Sequence, residues 1–240
     1  MRLFKLISAV PVSCLLILLF LIASTYSLSE VSQTISSSGI IRVPAVTLFE
    51  TGFEKGDLSE VDLETAYNGV VEITTHAFNG QYAARCYGFQ IGSPAPRARI
   101  YPKGYSIEPV TEVNVRAYFC FQRLDGYVQC IRTAGEINGT YTYIARTLVH
   151  QSDIRLQLAE EITKPYSFEL GNWYCIEMRF VKGVNGEAKV WVNGEEVISY
   201  SGDTSSFPNV KYALVGVILC NAPVDIYVDN FVVAKGYIGR

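Results

Sequence analysis

Histidine is scarce in this chain, with two among 240 residues, and charged side chains make up 18%. His76 sits beside an expected turn and His150 at an expected strand end, so each reads as a solvated imidazole rather than part of a proton relay. Lys and Arg are scattered with no basic stripe, which excludes a nucleic-acid partner. No acidic block forms a solvating tail, at a net charge of −3. The cysteines beyond residue 27, at 86, 120, 130, 175 and 220, lack the close spacing of a zinc site. A nucleophile elbow is missing, and so is an internal repeat. No twelve-residue window carries helical periodicity, and only 55–66 (KGDLSEVDLETA) suggests a helical turn.

What the chain does have is alternation. From Trp173 to Val197 apolar and polar residues alternate into Asn185-Gly186, out again, and into Asn193-Gly194. Asn-Gly between such runs is a strong hairpin signal, because a type I′ turn needs positive φ at both central residues. This stretch therefore predicts a three-stranded antiparallel meander. Asn79-Gly80 marks a further hairpin. Strand-like runs recur at 47–53, 69–76, 81–90, 96–101, 111–121, 126–134, 140–149, 153–160, 172–182, 187–192, 196–200, 211–220 and 224–234. So many strands around one core predict an all-β, two-sheet antiparallel sandwich or jelly roll, since an open sheet of this size leaves its edges bare. ALVGVILC at 213–220 is apolar on both faces and reads as a central strand covered on both sides.

The N-terminus differs. Arg2 and Lys5 precede an apolar run that reaches Ala23, and small residues follow. This is an export signal or an uncleaved membrane anchor over 1–27, with an N-terminal hydrophobic helix, and both alternatives put the rest of the chain outside the cytoplasm. A Ser/Thr-rich linker over 28–46, with a short strand at 40–43, leads into a domain over 47–240. In an exported chain the five later cysteines read either as one or two disulfides or as small buried hydrophobes.

Four segments resemble the concanavalin A-like jelly rolls of the laminin-G-like and glucanase kind. Leu48 to Ser59 (LFETGFEKGDLS) looks like their opening strand, and His76 to Ala84 (HAFNGQYAA) like the hairpin that follows. Trp173 to Val197 is similar to their late meander, and Ile226 to Val233 (IYVDNFVV) to their closing strand. The resemblance covers about 47–236; one departure is Val61, where many relatives have Trp. It implies a closing strand paired with the first, and one structural Ca²⁺ held by Asp229 with Glu50 or Glu54, Asp57 being nearby. Family 16 glucanases carry Glu-x-Asp-x-x-Glu on one strand, which aims two carboxylates at one sugar bond. That motif is absent here, and the adjacent Glu160-Glu161 and Glu195-Glu196 point to opposite faces. Lyases of this fold combine Arg, His, Gln and Tyr, for which Arg97, Arg99, His150 and Tyr118, Tyr127, Tyr141 and Tyr143 are available.

Tyrosine is the abundant aromatic, with 16 copies. Tyr127, Tyr141 and Tyr143 flank expected turns and are the candidates for stacking on sugar rings. Asn138-Gly139-Thr140 is a glycosylation sequon in an expected loop. Together these features suggest an extracytoplasmic, non-catalytic domain that binds a polysaccharide or glycoconjugate. A polysaccharide lyase or diverged glycosidase, and a structural cell-surface subunit, are the alternatives.

Overall fold

A computed structural model describes residues 34–35, 41–42, 45–89 and 94–239. The export segment 1–27, with Cys14 and the expected hydrophobic helix, lies outside the described residues. Thr34–Ile35 (β1) and Ile41–Arg42 (β2) form a two-stranded antiparallel ladder by themselves.

The unit Ala45–Arg240 holds fifteen strands and no helix among its described residues. They are β3 (Val46–Thr51), β4 (Val61–Ala66), β5 (Val70–Thr74), β6 (Ala83–Gly88), β7 (Arg97–Pro102), β8 (Glu112–Leu124), β9 (Val128–Ile137) and β10 (Thr140–His150). Then follow β11 (Asp153–Gln157), β12 (Glu161–Pro165), β13 (Trp173–Val181), β14 (Gly186–Val192), β15 (Glu195–Gly202), β16 (Tyr212–Cys220) and β17 (Val224–Lys235). A seven-stranded sheet runs β12-β11-β10-β9-β16-β7-β4. An eight-stranded sheet runs β15-β14-β13-β8-β17-β6-β5, with β3 also on β17. All pairings are antiparallel, so this is the two-sheet sandwich that the strand spacing implies. The expected pairing of first and last strands is present, with Phe231 opposite Thr51 and Val233 opposite Phe49.

Alternation explains the layers. In β8, Val113, Val115, Ala117, Phe119 and Phe121 enter the core, while Asn114, Arg116, Tyr118, Cys120 and Gln122 point the other way. Phe53, Phe119, Phe121, Phe180 and Phe231 are fully buried. Burying a side chain of this size contributes about 2–3 kcal/mol each. The inner strand β16 behaves as its double apolarity predicts: Ala213, Val215 and Val217 face the core, while Leu214 and Ile218 pack with Tyr101 on the far side.

Two local expectations need correction. Residues 55–66 contain turns and then β4, not a helical turn; Val61 and Leu63 alternate toward the core with Asp62 and Glu64 facing out. The Asn193-Gly194 hairpin has positive φ at both residues (55° and 84°), whereas neither Asn185 nor Gly186 does. Gly186 is already the first residue of β14, where a Cβ would overlap the Thr204 hydroxyl. The Asn138-Gly139 sequon lies in a loop as expected, the two-residue turn between β9 and β10, with φ of 53° and 74°. Every cysteine among the described residues is buried and outside any disulfide, so of the two cysteine alternatives the structure shows small buried hydrophobes.

Candidate functional site

The face of the seven-stranded sheet turned away from the core carries one connected polar network. The registers place Arg132 of β9 opposite Leu214 of β16 and Arg146 of β10, and put Gly216 of β16 opposite Arg99 of β7. Side chains two to four strands apart therefore meet on one surface. Arg99 donates from Nη1 to both Glu64 oxygens (2.7 and 2.8 Å) and from Nε and Nη2 to the Ile218 carbonyl (3.2 and 3.1 Å). The Tyr101 hydroxyl donates to the same carboxylate (2.9 Å), and Arg97 adds an ion pair to it (3.5 Å). Burial alone would raise the Glu64 pKa, but the hydrogen bonds from Arg99 and Tyr101 hold it below its ordinary value.

Arg132 is at the centre and is 3% exposed. Its Nη2 donates to Gln129, and its Nε has no partner. Among the described residues no carboxylate forms an ion pair with Arg132 or Arg146. Burial, then the Arg99 charge, lowers the Arg132 pKa from its usual value. Arginine stays protonated at neutral pH even so. Above it, the Tyr143 ring lies 4.4 Å from the Arg132 guanidinium and 5.1 Å from that of Arg146. Tyr141 packs edge-on against Tyr143 (5.5 Å) and tilts against Tyr212 (5.1 Å). Burial raises the Tyr141 pKa while Arg132 opposes it. Glu136 takes Lys211 (2.9 Å) and the Tyr212 hydroxyl. Within this network Arg97, Arg99, Arg132, Arg146 and Lys211 face only two carboxylates, Glu64 and Glu136, each already paired.

Of the tyrosines expected to bind a ligand, Tyr141 (41% exposed) and Tyr143 (47% exposed) come together here. Tyr127 does not join them. It precedes the far end of β9, whereas Tyr141 faces Glu136. At about 3.3 Å per residue the two sites are about 30 Å apart. Tyr118 is on the other sheet. His150 ends β10, with Nδ1 3.0 Å from the Ser152 hydroxyl and 3.6 Å from Asp153.

The residues expected to hold Ca²⁺ lie on the eight-stranded sheet and on the turn after β3. Asp229 is fully buried and accepts backbone N–H groups from Phe78 (2.9 Å), Asn79 (3.1 Å) and Asn230 (2.6 Å). Glu54 accepts those of Gln81 (3.0 Å) and Tyr82 (3.3 Å). Glu50 lines a cleft with Glu54, Glu60, Lys55 and Arg116. A cation needs free oxygen lone pairs. Asp229 and Glu54 each accept from amides of the 76–82 loop and brace it, which leaves each carboxylate part of its lone-pair capacity. Among the described residues no group of three His, Cys, Asp or Glu side chains converges as a metal site.

No family model matches the chain, and a search of curated proteins finds no match. Solved structures do share the fold. One is an endo-β-1,4-glucuronan lyase from the fungus Trichoderma reesei, at 14% identity and a TM-score of 0.64, over 79% of this chain and 96% of that one. A second is the cellulose-induced protein Cip1, at 14% identity and 0.60, over 80% and 99%. A third is a variant of alginate lyase Aly36B in complex with alginate tetrasaccharide, at 13% and 0.53, over 82% and 98%. These similarities show a β-sandwich fold shared with carbohydrate-active proteins.

Proposed function

We propose that the polar face of the seven-stranded sheet binds an acidic polysaccharide, with Arg132 taking the carboxylate of a uronate residue and Tyr141 and Tyr143 lying against sugar rings. One observation carries this reading: a guanidinium that is nine-tenths buried, lacks a counter-ion and has an unpartnered N–H. A buried charge without a partner is costly, and a ligand carboxylate offers the bidentate acceptor that arginine fits. Tyrosine rings supply flat apolar contact to the sugar while their hydroxyls stay polar. Glucuronan and alginate, named for two of the similar structures, are both polymers of carboxylate-bearing sugars, which supports the choice. In this reading the domain works outside the cytoplasm, released or held at the membrane by residues 1–27.

Affinity electrophoresis in gels containing alginate, polyglucuronate or a neutral β-glucan tests it. Retardation by the two acidic polymers, lost in Arg132→Ala and in high salt, is expected. Equal retardation by the neutral polymer, or full retardation of Arg132→Ala, overturns it.

A further inference from the structure

The opposite face of the molecule carries a thiol and an imidazole held toward each other. On β8, Cys120 stands between Trp173 of β13 and Tyr227 of β17 in the sheet register. Its Sγ is 3.9 Å from His76 Nε2, and the Gln122 side-chain amide lies 3.0 Å from the same sulfur. The His76 ring stacks near-parallel to Trp173 (5.9 Å, 15°) and tilts against Tyr227 (4.7 Å). Cys120 is fully buried while His76 is exposed, so the ring is the cover over the sulfur.

The cover is fixed in place. The 76–82 loop is tied from below by Asp229, through the amides of Phe78 and Asn79, and by Glu54, through those of Gln81 and Tyr82. His76 itself donates its backbone N–H to Thr74 (3.2 Å). Two carboxylates from separate parts of the chain thus hold the imidazole over the thiol before any ligand arrives, and preorganisation of this kind is what a binding pair requires.

We propose that Cys120 Sγ and His76 Nε2 form a two-ligand site for one soft monovalent cation of the Cu⁺ or Ag⁺ type. With metal–sulfur and metal–nitrogen lengths of about 2.3 and 2.0 Å, an ion spans the observed separation as a bent bridge. A swing of the exposed ring by about 0.4 Å makes it linear, at about 4.3 Å. A thiolate selects soft ions over Ca²⁺ or Mg²⁺. Among the described residues the Gln122 amide is the side chain hydrogen-bonded to the thiol, and it offers one neutral oxygen and no charge. The Trp173 and Tyr227 rings pack against the His76 imidazole. On binding, the ion replaces the thiol proton, which leaves to solvent; no electron is transferred. The chain's second histidine, His150, bonds to Ser152.

The test uses the full chain with Cys14→Ser as background, titrated anaerobically with Cu⁺ held by a chromophoric chelator, and with Ag⁺ while tryptophan emission is followed. One ion per chain is expected, with quenching that disappears in Trp173→Phe. Cys120→Ser should abolish uptake. His76→Gln, a change at an exposed position, should weaken it about tenfold or more. Cys220→Ser, on the other sheet, should leave it unchanged. No uptake by the background protein overturns the proposal. So does undiminished affinity in His76→Gln, which would reveal a thiol reacting alone.

Discussion

The two sheets of the sandwich treat their most deeply buried outward-facing charges differently. On the eight-stranded sheet Arg85 pairs with Asp225 and Arg179 with Glu187, but the two most buried carboxylates are met by backbone. Asp229 takes three N–H groups, and Glu177, 2% exposed, takes those of Ile238 (2.9 Å) and Gly239 (3.1 Å). Arg116 returns a bond to the Gly239 carbonyl, and Tyr237 lies on Trp191 (5.1 Å). On the seven-stranded sheet, side chains pair with side chains, and the pairing stops short of Arg132. The first arrangement closes a surface with the chain's own turns and tail. The second leaves Arg132 without a counter-ion among the described residues.

The proton equilibria divide along the same line. Burial, only partly offset by backbone N–H donors, raises the pKa of both Glu177 and Asp229. On the other face Glu64 is lowered, as is Asp153, the latter chiefly through its hydrogen bond to Arg155.

The largest effect expected from breaking this contrast is at Asp229. Asp229→Ala strips the acceptor from three N–H groups and should destabilise by about 3 kcal/mol in chemical denaturation. An unchanged midpoint would mean that the loop does not depend on this carboxylate. Next comes Arg132. Arg132→Met should lower affinity for a polyuronate by tenfold or more, worth about 1.4 kcal/mol. It should also leave stability unchanged or raise it by about 1 kcal/mol, since the lost charge has no internal partner. A marked loss of stability would make Arg132 a structural cation after all. Tyr141→Ala and Tyr143→Ala should each weaken glycan binding by about 1 kcal/mol in calorimetry, with Tyr127→Ala as the silent control.

Smaller, and sharper in sign, is the response to acid. A carboxyl whose folded pKa is raised contributes stability that is present below its unfolded pKa and is lost as pH rises through the folded value. Wild type should therefore gain on Asp229→Asn as pH falls through that window. Glu64 does the reverse: its contribution is present above the unfolded pKa and fades as pH falls toward the lowered folded value, so wild type should lose its lead over Glu64→Gln. Denaturation midpoints of the three proteins across acidic pH should give slopes of opposite sign, and parallel slopes would erase the distinction between the faces. Smallest of all is the expected effect of Ca²⁺ on the melting temperature measured against chelator, since amides already engage much of the Asp229 and Glu54 carboxylates. A clear rise with Ca²⁺ would establish the metal, and equal temperatures would remove it.

Much of this architecture could be read along the chain, because period-two alternation and Asn-Gly turns are local signals. β13 to β15 follow from them, and so does the doubly covered β16. The strands that escaped are edges. β12 is mostly exposed and carries no apolar stripe, and the acids of β4 resemble a helical turn until Asp62 and Glu64 are seen to share one face. The site was half legible. Tyr141 and Tyr143 stand out beside a turn, while Arg132 is one basic residue in a strand, and its isolation shows only when register brings β7, β16, β9 and β10 side by side. Family resemblance points to Asp229 as a Ca²⁺ ligand; the partners it meets in the structure are amides, which no side-chain pattern encodes.

The buried thiols make the molecule its own stopwatch. Cys86, Cys120 and Cys175 lie on β6, β8 and β13 of one sheet, and Cys130 and Cys220 on β9 and β16 of the other. None is tied into a disulfide, so reducing conditions should not loosen the sandwich. An alkylating reagent can reach the core sulfurs of Cys86 and Cys130 only when their strands part from their neighbours, whereas Cys120 needs only its imidazole cover to swing aside. The rates at which Cys86 and Cys130 are capped, read by mass spectrometry, would time how often each half of the protein breathes. They would also show whether the eight-stranded or the seven-stranded sheet opens first.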